Sequence, residues 1–133
     1  MRVITGIVLS TLTYLLLSVF LVLVVHASVP GGVEPDGRIV GRTSLILDLV
    51  VQAIACFAAG AVALVHAQGS VRRATVAMGG TIFALVLASA LCFWSLVPDW
   101  YNEALIAMTL PFVALGAAWR RAARASNSPT GVR

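Results

Sequence analysis

The sequence contains no lysine, and charged residues make up only 11% of its 133 positions. A typical soluble domain carries about 25% charged residues, so this chain has too little charge to cover the surface of one. Hydrophobic residues account for 60% of the chain, and its mean hydropathy is +1.00. These values exclude an ordinary soluble domain and favour a membrane protein, whose apolar surface faces lipid.

Motifs for the commonest enzyme chemistries are also missing. The chain has no phosphate-binding loop, no nucleophile elbow and no zinc-ligand spacing. Cys56 and Cys92 form no C-x-x-C pair and fall at different depths, which argues against a disulfide or a thiol-redox site. His26 and His66 fall at opposite membrane faces and cannot share a haem. We therefore predict no cofactor and no metal, and the sequence favours a non-enzymatic protein without excluding an enzyme.

Four apolar stretches occupy most of the chain, at residues 3–25, 44–65, 74–97 and 101–119. Each is close to the roughly 20 residues that a helix needs to cross a bilayer. Because backbone groups in lipid must be satisfied within their own segment, these stretches are predicted to be helices. The outer loop (26–43) is too short for a core. We predict one all-α transmembrane domain over residues 1–124 and a disordered cytoplasmic tail over residues 125–133.

Charge is sorted by membrane side. All five acids fall at one set of span ends, together with Arg38 and Arg42. The remaining arginines fall at the opposite span ends, which the positive-inside rule assigns to the cytoplasm. They are Arg2, Arg72, Arg73, Arg120, Arg121, Arg124 and Arg133. Since short connections make neighbouring helices antiparallel, we predict an integral membrane up-down-up-down four-helix bundle with both termini cytoplasmic.

The basic residues also bear on partners and source. Their position at span ends accounts for the net charge of +4, so no nucleic-acid partner is expected. All nine are arginine, which we interpret as the codon bias of a GC-rich bacterial genome. The predicted location is therefore the bacterial cytoplasmic (inner) membrane.

The first span resembles a signal peptide in one respect, because Val25-His26-Ala27 loosely fits a cleavage site. Its apolar run is, however, longer than the about 7–15 residues of a signal-peptide core. We expect an uncleaved helix; cleavage would leave three spans and move the N-terminus outside.

Small residues recur at every fourth position on three of the spans. Helices in lipid associate where small side chains let backbones approach, so these stripes predict helix–helix contact faces. The contacts lie either within the monomer or with a membrane-protein partner or second copy, and the pattern permits both. The residues are Gly6, Ser10, Ser18, Cys56, Gly60, Gly80, Ala84 and Ala88.

Asp48 is the most informative single residue. It lies about one turn inside the second span, and Gln52 lies one turn deeper on the same face. A carboxylate inside the membrane is costly and commonly marks an ion or substrate path. The alternative is structural, with Asp48 reaching the outer interface or pairing with Arg38 or Arg42.

Pro111 lies midway along the fourth span. It removes one backbone hydrogen bond and predicts a kink in the helix. That kink is either static or a hinge.

The outer side collects four carboxylates that could form a cation-binding or acid–base site. No spacing demands such a site, because the individual residues also fit turns and helix starts. They are Glu34, Asp36, Asp99 and Glu103.

Three functional classes are compatible with these features. The favoured one is a non-catalytic accessory, assembly or interaction subunit of a larger membrane complex, which needs few buried charges and spare small-residue faces. The second is a small oligomeric transporter or channel that uses Asp48 and Gln52. The third is a membrane enzyme at the outer interface.

Overall fold

The computed structural model describes residues 2–29, 34–35, 38, 41–66 and 71–126, and this part of the chain is helical apart from short connections. It contains no strand, which confirms the all-α class. A short 3-10 turn, Trp94–Leu96, follows the third of four α-helices. These helices are α1 (Arg2–Ser28), α2 (Arg42–His66), α3 (Val71–Phe93) and α4 (Asp99–Ser126).

Most helices extend beyond their apolar stretches because flanking polar residues continue the helical hydrogen bonding, but α3 ends at Phe93, four residues before the end of the stretch 74–97. The break between α3 and α4 falls at Pro98, whose carbonyl accepts the Tyr101 backbone N–H at 3.0 Å. Pro has no N–H to donate, so it cannot continue the preceding turn. α4 runs to Ser126, two residues into the predicted tail, and residues 127–133 lie outside the described part of the chain.

All four helices are long and apolar enough to cross a membrane. Large apolar side chains cover the outside of the bundle, including Leu16, Phe20 and Leu91, each more than 60% exposed. Water would penalise this surface, whereas lipid tails do not. The described helices therefore support the predicted multi-pass membrane protein.

The largest helix–helix interface joins α2 to α4, followed by α1 with α2, while α3 packs less extensively against each of the other helices. Asp48 contacts Tyr101 near the start of α2 and α4, and Phe57 contacts Trp119 further along both helices. The two helices therefore run in the same direction. Chain-order neighbours do not make the closest pair in this bundle.

Two glycines bring α2 and α4 into backbone contact. A Cβ atom on Gly60 would overlap the carbonyl oxygen of Val113, and one on Gly116 would overlap that of Phe57. Ala59 and Ala117 are fully buried near this crossing. Because apolar burial gives helices in lipid no advantage over lipid contact, such close approach is a main source of their attraction.

We expect Gly60→Ala or Gly116→Ala to destabilise the bundle by about 1–3 kcal/mol, because the added methyl groups force two backbones apart. Gly80→Ala is the matched control: its Cβ meets no heavy atom within 4 Å, so the variant should be neutral or slightly stabilised. Unfolding by SDS in mixed micelles, followed by tryptophan fluorescence, measures the difference. Equal stability of all three variants would contradict the close crossing.

Candidate functional site

Polar side chains are buried inside this bundle although its exterior is apolar. The carboxylate of Asp48 is the charged member of the set, and polar groups inside a membrane bundle need internal partners. The buried polar residues are Ser10, Ser18, Ser44, Asp48, Asn102 and Thr109.

Asp48 joins α2 to α4. It lies about 9 Å along α2 from Arg42 at 1.5 Å per residue, and it is only 7% exposed. The Tyr101 hydroxyl donates a hydrogen bond to its Oδ2. Its Oδ1 is buried and has no hydrogen-bond partner. One carboxylate oxygen is thus satisfied, and the other can still accept a proton, a water hydrogen or a cation.

Gln52, one turn deeper, joins α2 to α1. Its Oε1 accepts hydrogen bonds from the Tyr14 hydroxyl at 3.1 Å and the Ser18 hydroxyl at 3.0 Å. Residues four apart on a helix share one face, so Asp48 and Gln52 form a continuous polar strip along α2. We name Asp48, Gln52, Tyr14, Ser18 and Tyr101 the polar cluster. It connects three of the four helices.

Two further buried hydroxyls are satisfied within their own helices. Ser10 donates to the Ile7 carbonyl at 3.0 Å, and Thr109 donates to the Leu105 carbonyl at 2.7 Å. Such bonds within one helix remove the cost of burying a hydroxyl without linking helices. Asn102 differs, because it is 1% exposed and its Nδ2 has no partner.

The predicted outer carboxylates lie at the surface in the part of the chain that the structure describes. Glu34 and Glu103 are exposed, and Asp36 lies outside the described residues. Asp99 is exposed and accepts the Trp94 indole N–H at 2.8 Å. Within the described part of the chain, no group of three His, Cys, Asp or Glu residues is placed to hold a metal ion.

A groove near this end is formed by the starts of α2 and α4, and none of the described outer carboxylates lines it. It is bounded by Arg42, Leu45, Ile46, Pro98 and Trp100. An acid–base site at this interface stays a prediction.

The predicted packing residues divide into two groups. Those on α1 and α2 are buried: Gly6, Ser10, Ser18, Cys56 and Gly60. Those on α3 are exposed: Gly80, Ala84 and Ala88. Their role in contacts between helices stays a prediction.

Pro111 and the cysteines take positions with different exposure. Pro111 is exposed, and α4 continues through it. Cys56 is buried, Cys92 is exposed, and both are free thiols. The proline therefore lies away from the polar cluster, and its action as a kink or hinge stays a prediction.

The predicted site included neither cluster tyrosine, Tyr14 or Tyr101. The one that binds Asp48 is Tyr101. Beside Trp94 and Trp100 it fits an aromatic belt at the membrane surface, yet its side chain is 6% exposed. The available signal was its spacing from Leu105 and Thr109, since residues four apart share the buried face of α4.

We expect Tyr101→Phe to destabilise the protein by about 1–3 kcal/mol, because it leaves a buried carboxylate without its donor. Tyr14→Phe is the control, since Gln52 keeps the Ser18 hydroxyl, and it should cost about 0.6 kcal/mol. In a double-variant cycle with Asp48→Leu, the Tyr101→Phe effect should largely disappear. SDS unfolding in mixed micelles measures each value, and additive effects would contradict the Asp48–Tyr101 bond.

Comparisons with protein-family models, curated proteins and solved structures find no match for this chain. The functional argument is therefore made from the chain's own residues. Two features carry it: the polar cluster inside the bundle, and the outward small-residue face of α3.

Proposed function

We propose that this protein is a small polytopic protein of the bacterial cytoplasmic membrane that acts as a non-catalytic accessory or assembly subunit of a larger membrane complex. The observation that carries the proposal is the outward face of α3. Three small residues, Gly80, Ala84 and Ala88, are exposed there in a row. We name this row the α3 face.

The proposed topology is up-down-up-down, with both termini in the cytoplasm. Its support is the asymmetry of charge, since most arginines cluster at one set of helix ends. The parallel course of α2 and α4 agrees with it, because alternating helices of such a bundle share a direction. The bacterial source rests on the use of arginine alone among basic residues.

The geometry of α3 explains why its small residues face outward. Its buried positions recur every fourth residue: Ala74, Met78, Ile82, Val86 and Ala90. The α3 face is offset from this row by two residues, which is about 200° around a helix with 3.6 residues per turn. The two rows therefore occupy opposite sides of α3.

Small residues on an outward face permit another helix to approach closely. The same kind of close approach occurs inside the bundle, where Gly60 and Gly116 bring α2 and α4 together. On the α3 face, a Cβ at Gly80 would meet no heavy atom within 4 Å. A helix from another membrane protein, or from a second copy, would gain close packing there that lipid tails do not supply.

Ala84→Leu should disrupt this docking, because a large side chain prevents close approach of the backbones. The matched control is Ala107→Leu, the same change at an exposed position of α4. With the tagged protein extracted gently from its native host, we expect a partner in fixed stoichiometry with the wild type and the control, and at least tenfold less with Ala84→Leu. A lone wild-type monomer would contradict the proposal.

Transport or conduction is a second candidate, favoured by one specific observation. Asp48 is a buried carboxylate within a membrane-spanning helix, and its Oδ1 has no partner. Such a group is by default a candidate for binding a proton or a cation. Gln52 extends the polar strip toward the middle of the membrane, which supports a path along α2.

If Asp48 binds the coupling ion, Asp48→Asn should abolish proton- or cation-coupled flux in proteoliposomes, because the amide keeps the shape but loses the charge. Glu103→Gln is the matched control, as it removes a carboxylate exposed near the start of α4. Flux is measured with a pH-sensitive dye for protons and a cation-sensitive dye for metal cations, each trapped in the vesicles. Absence of flux in the wild type, or equal flux in Asp48→Asn, would exclude this role.

A further inference from the structure

A groove of about 390 Å³ runs between α3 and α4 on the outside of the bundle. Val76, Gly80 and Phe83 line it from α3, and Leu110 and Ala114 line it from α4. The walls are almost entirely apolar, so the groove suits a hydrocarbon chain.

A second space lies next to the groove, at the Arg72 end of α3. This second space, of about 510 Å³, is lined by Arg72, Arg73, Val76 and Ala77. Val76 borders both spaces, which makes them neighbours. Both arginines are exposed and lie at the end of a membrane span, the level at which lipid headgroups lie. An apolar groove that lies within one helical turn of two exposed arginines matches a molecule with an apolar tail and an anionic head.

The dimensions agree with one leaflet of a bilayer. From Arg72 to Phe83 the helix rises about 16 Å at 1.5 Å per residue. Half of the hydrocarbon core of a bilayer is about 15 Å thick. We propose that this site binds an anionic phospholipid, with its phosphate on Arg72 and Arg73 and one acyl chain in the groove between α3 and α4.

The glycines of α3 create the space for the acyl chain. A Cβ on Gly79 would lie 3.7 Å from Leu110 Cδ2 and from Val113 Cγ1, and a Cβ on Gly80 would meet nothing within 4 Å. A larger side chain at Gly80 would therefore occupy part of the groove without displacing a backbone. This separates the site from the crossing at Gly60, where even a methyl group does not fit.

The lipid site goes beyond the proposed subunit role. Gly80 belongs to both features, but Ala84 and Ala88 of the α3 face do not line the groove, and the arginines lie at the end of α3, before that face begins. Substitutions at Ala84 and at the two arginines can therefore affect partner docking and lipid binding separately, whereas Gly80→Leu changes both.

The test titrates dioleoylphosphatidylglycerol and, separately, dioleoylphosphatidylcholine into the purified full chain in detergent, with bound lipid counted by native mass spectrometry. We expect the wild type to prefer the anionic lipid. The double variant Arg72→Gln/Arg73→Gln should lose affinity for it about 25-fold, since each basic side chain contributes about fivefold. Gly80→Leu should weaken the binding of both lipids, because it fills the groove.

The matched control is Arg121→Gln/Arg124→Gln. It removes the same charge at the same end, because the short connection between Phe93 and Asp99 makes α3 and α4 antiparallel and Gly79 lies beside Val113. This control should keep the preference, and inorganic phosphate should not compete. Equal loss in both double variants, or no loss in either, would overturn the site. Ala84→Leu should still bind the lipid even though it no longer binds the partner. The lipid site and the subunit role can therefore be tested independently.

Discussion

The backbone contact between α2 and α4 is the constraint on which the rest of the bundle depends. Because Gly60 and Gly116 have no side chain, each lies against a backbone carbonyl of the other helix. In lipid, where apolar burial favours no particular pairing, this close approach selects one pair of helices from several equally apolar ones. It also fixes their register, because the Phe57–Trp119 contact and the Asp48–Tyr101 bond lie on the same interface.

The polar cluster follows from that register. In this alignment of α2 and α4, the Tyr101 hydroxyl donates a hydrogen bond to Asp48. Gln52, one turn further along α2, binds Tyr14 of α1 instead. The fully buried side chains of α3 are apolar, and the cluster's hydrogen bonds join α1, α2 and α4. Away from its buried row, α3 offers two outward features that share Gly80: the α3 face, and the groove beside α4 near Arg72 and Arg73.

Much of the architecture could be predicted from the sequence, because hydropathy and span length are sufficient to identify four membrane helices. Asp48 and Gln52 also stood out, since polar residues are rare inside apolar spans. Tyr101, the partner of Asp48, could not be identified in this way, because a tyrosine beside two tryptophans also fits an aromatic belt at the membrane surface. On α3, rows of period four exist on both sides of the helix, and periodicity alone does not say which row faces inward.

The most direct test of the central claim, that the α3 face is covered by another protein, is photo-crosslinking in intact membranes of the native host. A photoreactive amino acid is placed at position 84 and, for comparison, at position 107, both of which are exposed in the monomer. The account predicts one discrete protein adduct from position 84 and only lipid adducts from position 107. Lipid adducts alone at both positions would show that the α3 face meets the bilayer, and would contradict the subunit role.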